Sequence, residues 1–341
     1  MKRVLCTFVL VLFATASAAQ EKISIYHWFE YIPQELLDKF SEETGIEVVM
    51  DTYDSNETLL STLKGGKLGS YDVAVPGDYM VKILISEGML DEIMPGELAN
   101  FGNIQPQWVD VDFDPGRKHS IPYQWGTTNF SVNRDAYTGD IRTTAILFDP
   151  PEVLRGKINV LDSRGELLAL ASLHLGIPQC TSDREQLQAL DDLVQGAKQH
   201  WASFNSAGAK EVLVSGEAWV GMIWNGFAAK ARAEGANIEY SYPREGMIAW
   251  MDNVVLLKDA PNRASGIKFL DFLLEPENSA AVTNYARYSS GIAGVEALLD
   301  EELLSQPEAV PPADAPSGTF VEVCDPEVDK VYDQIWTRLK Q

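Results

Sequence analysis

The stretch from Lys22 to Leu84 constrains the fold most, because it changes hydrophobic period in a fixed rhythm. Lys22 to His27 alternates apolar and polar residues as a half-buried strand does. Pro33 then opens a helix whose apolar face is Leu36, Leu37 and Phe40, closed by Gly45. Ile46 to Asp51, rich in β-branched residues, predicts a second strand. Ser55-Asn56-Glu57 predicts the cap of a helix through Lys64, stopped by Gly65-Gly66. Tyr71 to Val75 reads as a short buried strand ended by Pro76-Gly77, and Asp78-Tyr79 opens a helix carrying Val81, Ile83 and Leu84. Strands separated by helices cannot pair as hairpins, so this rhythm predicts an α/β fold with a mainly parallel sheet flanked by helices. Ligands of such sheets sit off the carboxyl ends of the strands, where Trp28 to Tyr31 and Gly77 to Tyr79 fall.

Leu90 to Pro122 is rich in proline and glycine and reads as connecting surface structure. Ile121 to Gly126 and Phe130 to Asn133 read as a strand leaving this unit. A second unit follows: strand Lys157 to Leu161, a cap at Asp162 to Glu166 into the apolar helix Leu167 to Leu175, and a capping box at Ser182 to Glu185. Strand Trp219 to Trp224, helix Phe227 to Ala233 and an extended Ile238 to Tyr242 complete it. Strand Val254 to Leu257 and helix Ser265 to Leu274 resemble the first unit again, and the tail ends in a helix from Pro326 to Leu339. The chain is therefore expected to form two lobes with a hinge and an inter-lobe cleft. One lobe is residues 20–132 plus 253–300, the other 133–252 plus 301–341.

Residues 1–19 read as a secretory signal, with Lys2 and Arg3, an apolar run from Val4 to Phe13, and the small residues Ala16 to Ala19. Cys6 lies inside the apolar run, unlike a lipid-anchoring cysteine, and no later segment reads as a membrane span. Without Lys2 and Arg3 the chain has 25 basic against 50 acidic side chains, a formal net charge of −25. That balance repels nucleic acid and anionic lipid and concentrates cations. Cys180 and Cys324 are then the only pair, expected to form a disulfide in an exported protein, with two buried thiols as the alternative.

Chemistry-bearing motifs are scarce. His27, His119, His174 and His200 have no metal spacing, and there is no nucleophile elbow, phosphate loop or dinucleotide fingerprint. Glu166 and Asp252 could be imagined as a glycosidase pair, but in so acidic a chain such pairs arise by chance. Aromatic and acidic residues do accumulate at strand ends. In an extended Ile248 to Asn253, Trp250 and Asp252 share a face, and an indole beside a carboxylate suits an organic ammonium. Trp28 and Glu30 repeat the device if their segment is extended, with Tyr31 adjacent. Each residue has a plainer reading: Trp224 as core, Asp78 as a helix cap, Tyr79 as a rim aromatic. Their shared location favours a cation-binding cleft and no enzyme.

Collinear segments then carry a resemblance: Trp28 to Pro33, Glu43 to Ile46, Asp54 to Thr58, Tyr71 to Pro76, Ile121 to Gly126, Gly221 to Gly226, Pro243 to Gly246 and Trp250 to Asp252. Over these the chain resembles the periplasmic spermidine/putrescine-binding proteins of polyamine ABC transporters. The resemblance implies that Trp28, Glu30, Tyr31, Tyr79, Glu166, Trp224, Trp250, Asp252 and Tyr288 line a ligand slot, to which the strand-end position adds Asp78. It further implies that Asp252 takes a terminal ammonium and Glu166 an inner or distal nitrogen. Departures are Ser163 and Phe227, where spermidine- and putrescine-preferring members respectively tend to carry an acid, and Phe29 and Gly77 in place of small polar residues. A glutamine of some members falls around Val321-Glu322. The expectation is a monomeric periplasmic binding protein that needs no cofactor or metal. It would capture a linear polyamine, a triamine before putrescine, and deliver it to an ABC transporter permease. A sensor docking on a membrane receptor is the alternative.

Overall fold

The computed structural model describes residues 20–309 and 311–341; the segment read as a secretory signal lies outside the described residues. The first unit runs β1 (Lys22–Trp28), α1 (Gln34–Thr44), β2 (Glu47–Tyr53), α2 (Asn56–Thr62), β3 (Val73–Ala74) and α3 (Asp78–Ser86). Leu36, Leu37 and Phe40 are the buried face of α1, and Gly45 ends it in the left-handed conformation, φ 72°, that a side chain would resist. Ser55 caps α2 by accepting from the Thr58 N–H. Three short 3-10 turns cover the loose stretch before β4 (Ser120–Asn133).

The second unit contains the short helix α4 (Ala145–Phe148), β5 (Ile158–Val160), α5 (Arg164–Leu175), α6 (Arg184–Lys198), β6 (Trp201–Phe204), α7 (Ala209–Val214), β7 (Val220–Trp224), α8 (Asn225–Ala233) and β8 (Ile238–Tyr240). The chain returns through β9 (Met247–Leu256), α9 (Arg263–Leu273), α10 (Pro276–Ala286) and β10 (Ser289–Ser290). The tail holds α11 (Glu301–Leu304), β11 (Gly318–Phe320) and α12 (Pro326–Leu339). The cap of α6 is Asp183 and not Ser182: its carboxylate accepts from the Glu185 and Gln186 N–H groups, while Thr181 Oγ1 holds the Asp183 N–H. A carboxylate at the N-terminus also meets the positive end of the helix.

The strands form one curled sheet in the order β2-β1-β3-β9-β4-β7-β5-β6. Both ends are parallel, as the β–helix–β rhythm requires: β1 with β2 and β3, β5 with β6 and β7. Between them lie two long antiparallel strands, β4 and β9, that belong to both lobes. Their mutual register shifts between Pro122 and Trp125, an irregularity of the kind that bends a sheet. Arg117, fully buried, stitches the crossing together by donating to Ser120 Oγ of β4 at 3.0 Å and to Asn253 Oδ1 of β9 at 2.6 Å.

The tail is fastened twice. β11 pairs in parallel with the start of β9, and Cys324 is disulfide-bonded to Cys180 across 144 residues of sequence. Gln179 donates to the Phe320 carbonyl and accepts from the Glu322 N–H beside it. Maleimide labelling of the denatured, unreduced chain, mapped by peptide, is expected to leave Cys180 and Cys324 unmodified. Cys324→Ser should lower stability by about 2–5 kcal/mol, because the bridge closes a long loop in the unfolded chain. Labelling of both cysteines without reductant would refute the pairing.

Candidate functional site

Off the carboxyl ends of the parallel strands, between the two halves of the sheet, lies a slot with about 570 Å³ of space free of protein atoms, part of it open to solvent. Of the residues expected from sequence, Trp28, Tyr31, Asp78, Tyr79, Glu166, Trp224, Trp250, Asp252 and Tyr288 line it, and Glu30 does not. Phe29, Asn56, Gly77, Phe227 and Val321 complete the lining.

The walls are aromatic and held edge to face. Trp28 lies 6.1 Å from Trp224 at an interplanar angle of 68°, and Trp250 lies 5.0 Å from Tyr288, which in turn meets Tyr31 at 5.3 Å. Trp28 is fixed by donating its Nε1–H to the Val75 carbonyl at 2.7 Å. Trp250 packs so close to β4 that a Cβ at Gly126 would lie 2.7 Å from its ring, so only glycine fits there. Trp224 and Phe227 meet edge to face at 5.6 Å, and Phe227 meets Phe29 from the other half at 5.5 Å.

Three carboxylates stand in this apolar frame. Trp250 and Asp252 both line the slot because β9 runs unbroken through them, so residues two apart share a face. Asp78 opens α3 and accepts from the Met251 N–H at 2.8 Å and the Tyr79 N–H at 2.6 Å. Glu166, in the first turn of α5, accepts from Thr128 Oγ1 and from Trp224 Nε1 at 3.1 Å. All three are more than nine-tenths buried, and none forms an ion pair with a side chain among the described residues. Burial pushes the Asp78 carboxyl up to about 7. Asp252 is raised well above the usual carboxylate range, first by burial and then by the nearby Asp78 and Glu166; burial also raises Glu166. Buried acids of one sign, without their own cations, are stable when protonated or when a cationic ligand is present.

Glu30 departs from expectation for a local reason. β1 ends at Trp28, and Glu30 adopts a left-handed φ of 48°, so the period of two that would align it with Trp28 no longer applies. Its carboxylate is instead 3.5 Å from Lys210 Nζ. Asn56 carried a sequence signal only as part of a helix cap; its Oδ1 accepts the Gly77 N–H at 3.1 Å and thereby holds the loop beneath Asp252. Val321 reaches the slot through the tail while Glu322 is exposed.

Residues 35–312 match the family of bacterial extracellular solute-binding proteins. The chain is similar to the spermidine/putrescine-binding periplasmic protein of Escherichia coli (strain K12), 32% identical over 341 residues, covering 99% of this chain and 98% of that one. It is also similar to the putrescine/agmatine-binding protein of Pseudomonas aeruginosa, at 30% identity covering 96% and 94%. Among solved structures, the spermidine/putrescine ABC transporter substrate-binding protein of Streptococcus pneumoniae superposes with a TM-score of 0.75 at 29% identity, covering 94% of this chain and 98% of that one.

The raised carboxyl groups have a consequence for ligand-free stability. An acid whose folded pKa lies above its unfolded value contributes stability below the unfolded pKa and loses it as pH rises through the folded one. For Asp78 that window runs from 3.8 to about 7. Buried His27, lowered to about 4 by desolvation, works in the opposite sense, so a difference between variant and wild type isolates the acids. Asp252→Asn is expected to be more stable than wild type without ligand, by a margin that is small near pH 4 and grows toward neutrality. Chemical denaturation at several pH values checks this, and a pH-independent difference would refute it.

Proposed function

The chain belongs to the family of bacterial extracellular solute-binding proteins, and from that premise we propose that it binds a linear polyamine in the slot and hands it to an ABC transporter permease. Like its relatives named as periplasmic, it works in the periplasm, and its family is one of substrate-binding transport proteins. The observation that carries the ligand class is the set Asp78, Glu166 and Asp252, buried without side-chain cations inside aromatic walls. A polyamine matches both features: its ammonium groups pair with the acids, and its methylenes lie against indole and phenol faces that also attract cations.

In this reading the lobes are 20–132 with 253–300 and 133–252 with 301–341, and β4 and β9 are the hinge. Asp252, beside Trp250, takes a terminal ammonium, and Glu166 takes a second nitrogen. The third partner is Asp78, replacing Glu30, which lies outside the slot. A cation favours the ionised form of acids whose carboxyl groups burial pushes up, so binding near neutral pH releases protons. Titration calorimetry in buffers of different ionisation enthalpy should therefore give different apparent heats. Asp252→Asn should weaken binding at least about tenfold, the worth of one charge-assisted hydrogen bond. Unchanged affinity would remove Asp252 from the site.

Preference within the class follows from the same acids. Ser163 supplies no carboxylate beside Glu166, and the Phe227 ring lines the slot where a short diamine's second ammonium would need one. A triamine satisfies three acids, whereas a diamine leaves one to be protonated. Spermidine or norspermidine should thus bind more tightly than putrescine by about 1.5–3 kcal/mol. Competitive titration checks this, and equal or tighter binding of putrescine would overturn the preference.

A further inference from the structure

Glu30 stands at the carboxyl end of β1, in the β2-β1-β3 half of the sheet, and touches the opposite half at two points. Lys230 of α8 donates to the Glu30 carbonyl at 2.9 Å, and Lys210 of α7 lies 3.5 Å from its carboxylate. Both helices pack on β7. The same Lys230 ammonium sits 4.3 Å from the centre of the Tyr285 ring in α10, a helix packed on α1 and α9 of the Glu30 half.

The two lysines differ in what else holds them. Lys210 already pairs within its own half, with Glu234 at 2.7 Å and Glu211 at 3.2 Å, so Glu30 is its longest ionic contact. Lys230 has no ion pair among the described residues; its hydrogen bond and its closest aromatic face both belong to the other half. Its ammonium also lies 5.4 Å from the Phe227 ring, which meets Phe29 across the cleft. The contact is therefore continuous with the end of the slot. Glu30 reaches it in a left-handed conformation that costs a residue with a Cβ, so surrounding contacts must hold it there.

We propose that Lys230 is a positioning residue for lobe closure: bound to the Glu30 carbonyl and seated on Tyr285, it latches the two halves over the Phe29–Phe227 end of the slot and sets how slowly ligand leaves. The identity of that ligand rests on the polyamine reading; the latch itself does not. A latch that forms only in the closed state acts on departure, since the encounter precedes closure.

The test is stopped-flow release of spermidine and putrescine from the full protein, with inter-lobe distance read by fluorescence transfer between one dye on each lobe. Lys230→Met keeps the apolar stem and removes the ammonium. Its release rate should rise about tenfold with association changed less than twofold, and its ligand-free melting temperature should stay near wild type. Lys230→Arg should restore slow release, because a guanidinium can both donate to the carbonyl and stack on Tyr285. Tyr285→Leu should also accelerate release, as a second variant outside the slot lining. A Lys230→Met release rate within twofold of wild type would overturn the latch. If wild type binds neither polyamine, the polyamine reading fails separately, and the distance distribution of the free protein decides: Lys230→Met must lower the closed fraction, and an unchanged distribution overturns the latch.

Discussion

Burying three carboxylates in one slot, none ion-paired among the described residues, is the constraint around which the rest is arranged. Each acid displaces water that would have solvated it, a cost of several kcal/mol per charge unless a partner is supplied. The fold supplies partial ones. Backbone N–H groups of Tyr79 and Met251 serve Asp78, and the Thr128 hydroxyl and Trp224 indole serve Glu166. What they leave uncompensated appears as carboxyl groups pushed toward the neutral form. Protonation relieves that cost, and so would a cation placed between the acids.

That arrangement needs the acids to come from different parts of the chain. Asp78 opens a helix of the first lobe, Glu166 a helix of the second, and Asp252 lies on β9, which belongs to both. The antiparallel β4–β9 pair therefore places one of the three acids on the element that joins the two halves of the sheet. The buried guanidinium of Arg117 binds Asn253, the residue after Asp252, so a single cation holds the crossing without neutralising the site. Gly126 on β4 makes room for the Trp250 ring at the same level. The three acids thus reach one slot from both halves of the sheet and from a strand that runs between them.

How well sequence foretold the site depended on whether local period persisted. Trp250 and Asp252 share a face as their spacing predicts, because β9 continues unbroken through both. Trp28 and Glu30 show the same spacing, yet the strand stops between them and the left-handed turn at Glu30 redirects its side chain. Nothing in the order of residues distinguishes the two cases, since the difference lies in whether a neighbouring strand continues alongside. The sequence places Phe29 at a strand end and Phe227 at the start of a helix without assigning either to the slot; their place in the wall, and that of Val321, follows from packing.

The sequence by itself determined the alternation of strands and helices, the parallel pairing at both ends of the sheet, and the supply of aromatic and acidic residues at strand ends, because hydrophobic period and capping are local. Only the tertiary structure decided that β4 and β9 lie antiparallel between the two parallel ends of the sheet, with a register shift between Pro122 and Trp125. It also decided that Cys180 meets Cys324 and that Glu30 faces lysines across the cleft. These are contacts between residues far apart in the chain, and each depends on how the lobes and the tail pack, a balance that no window of neighbouring residues contains.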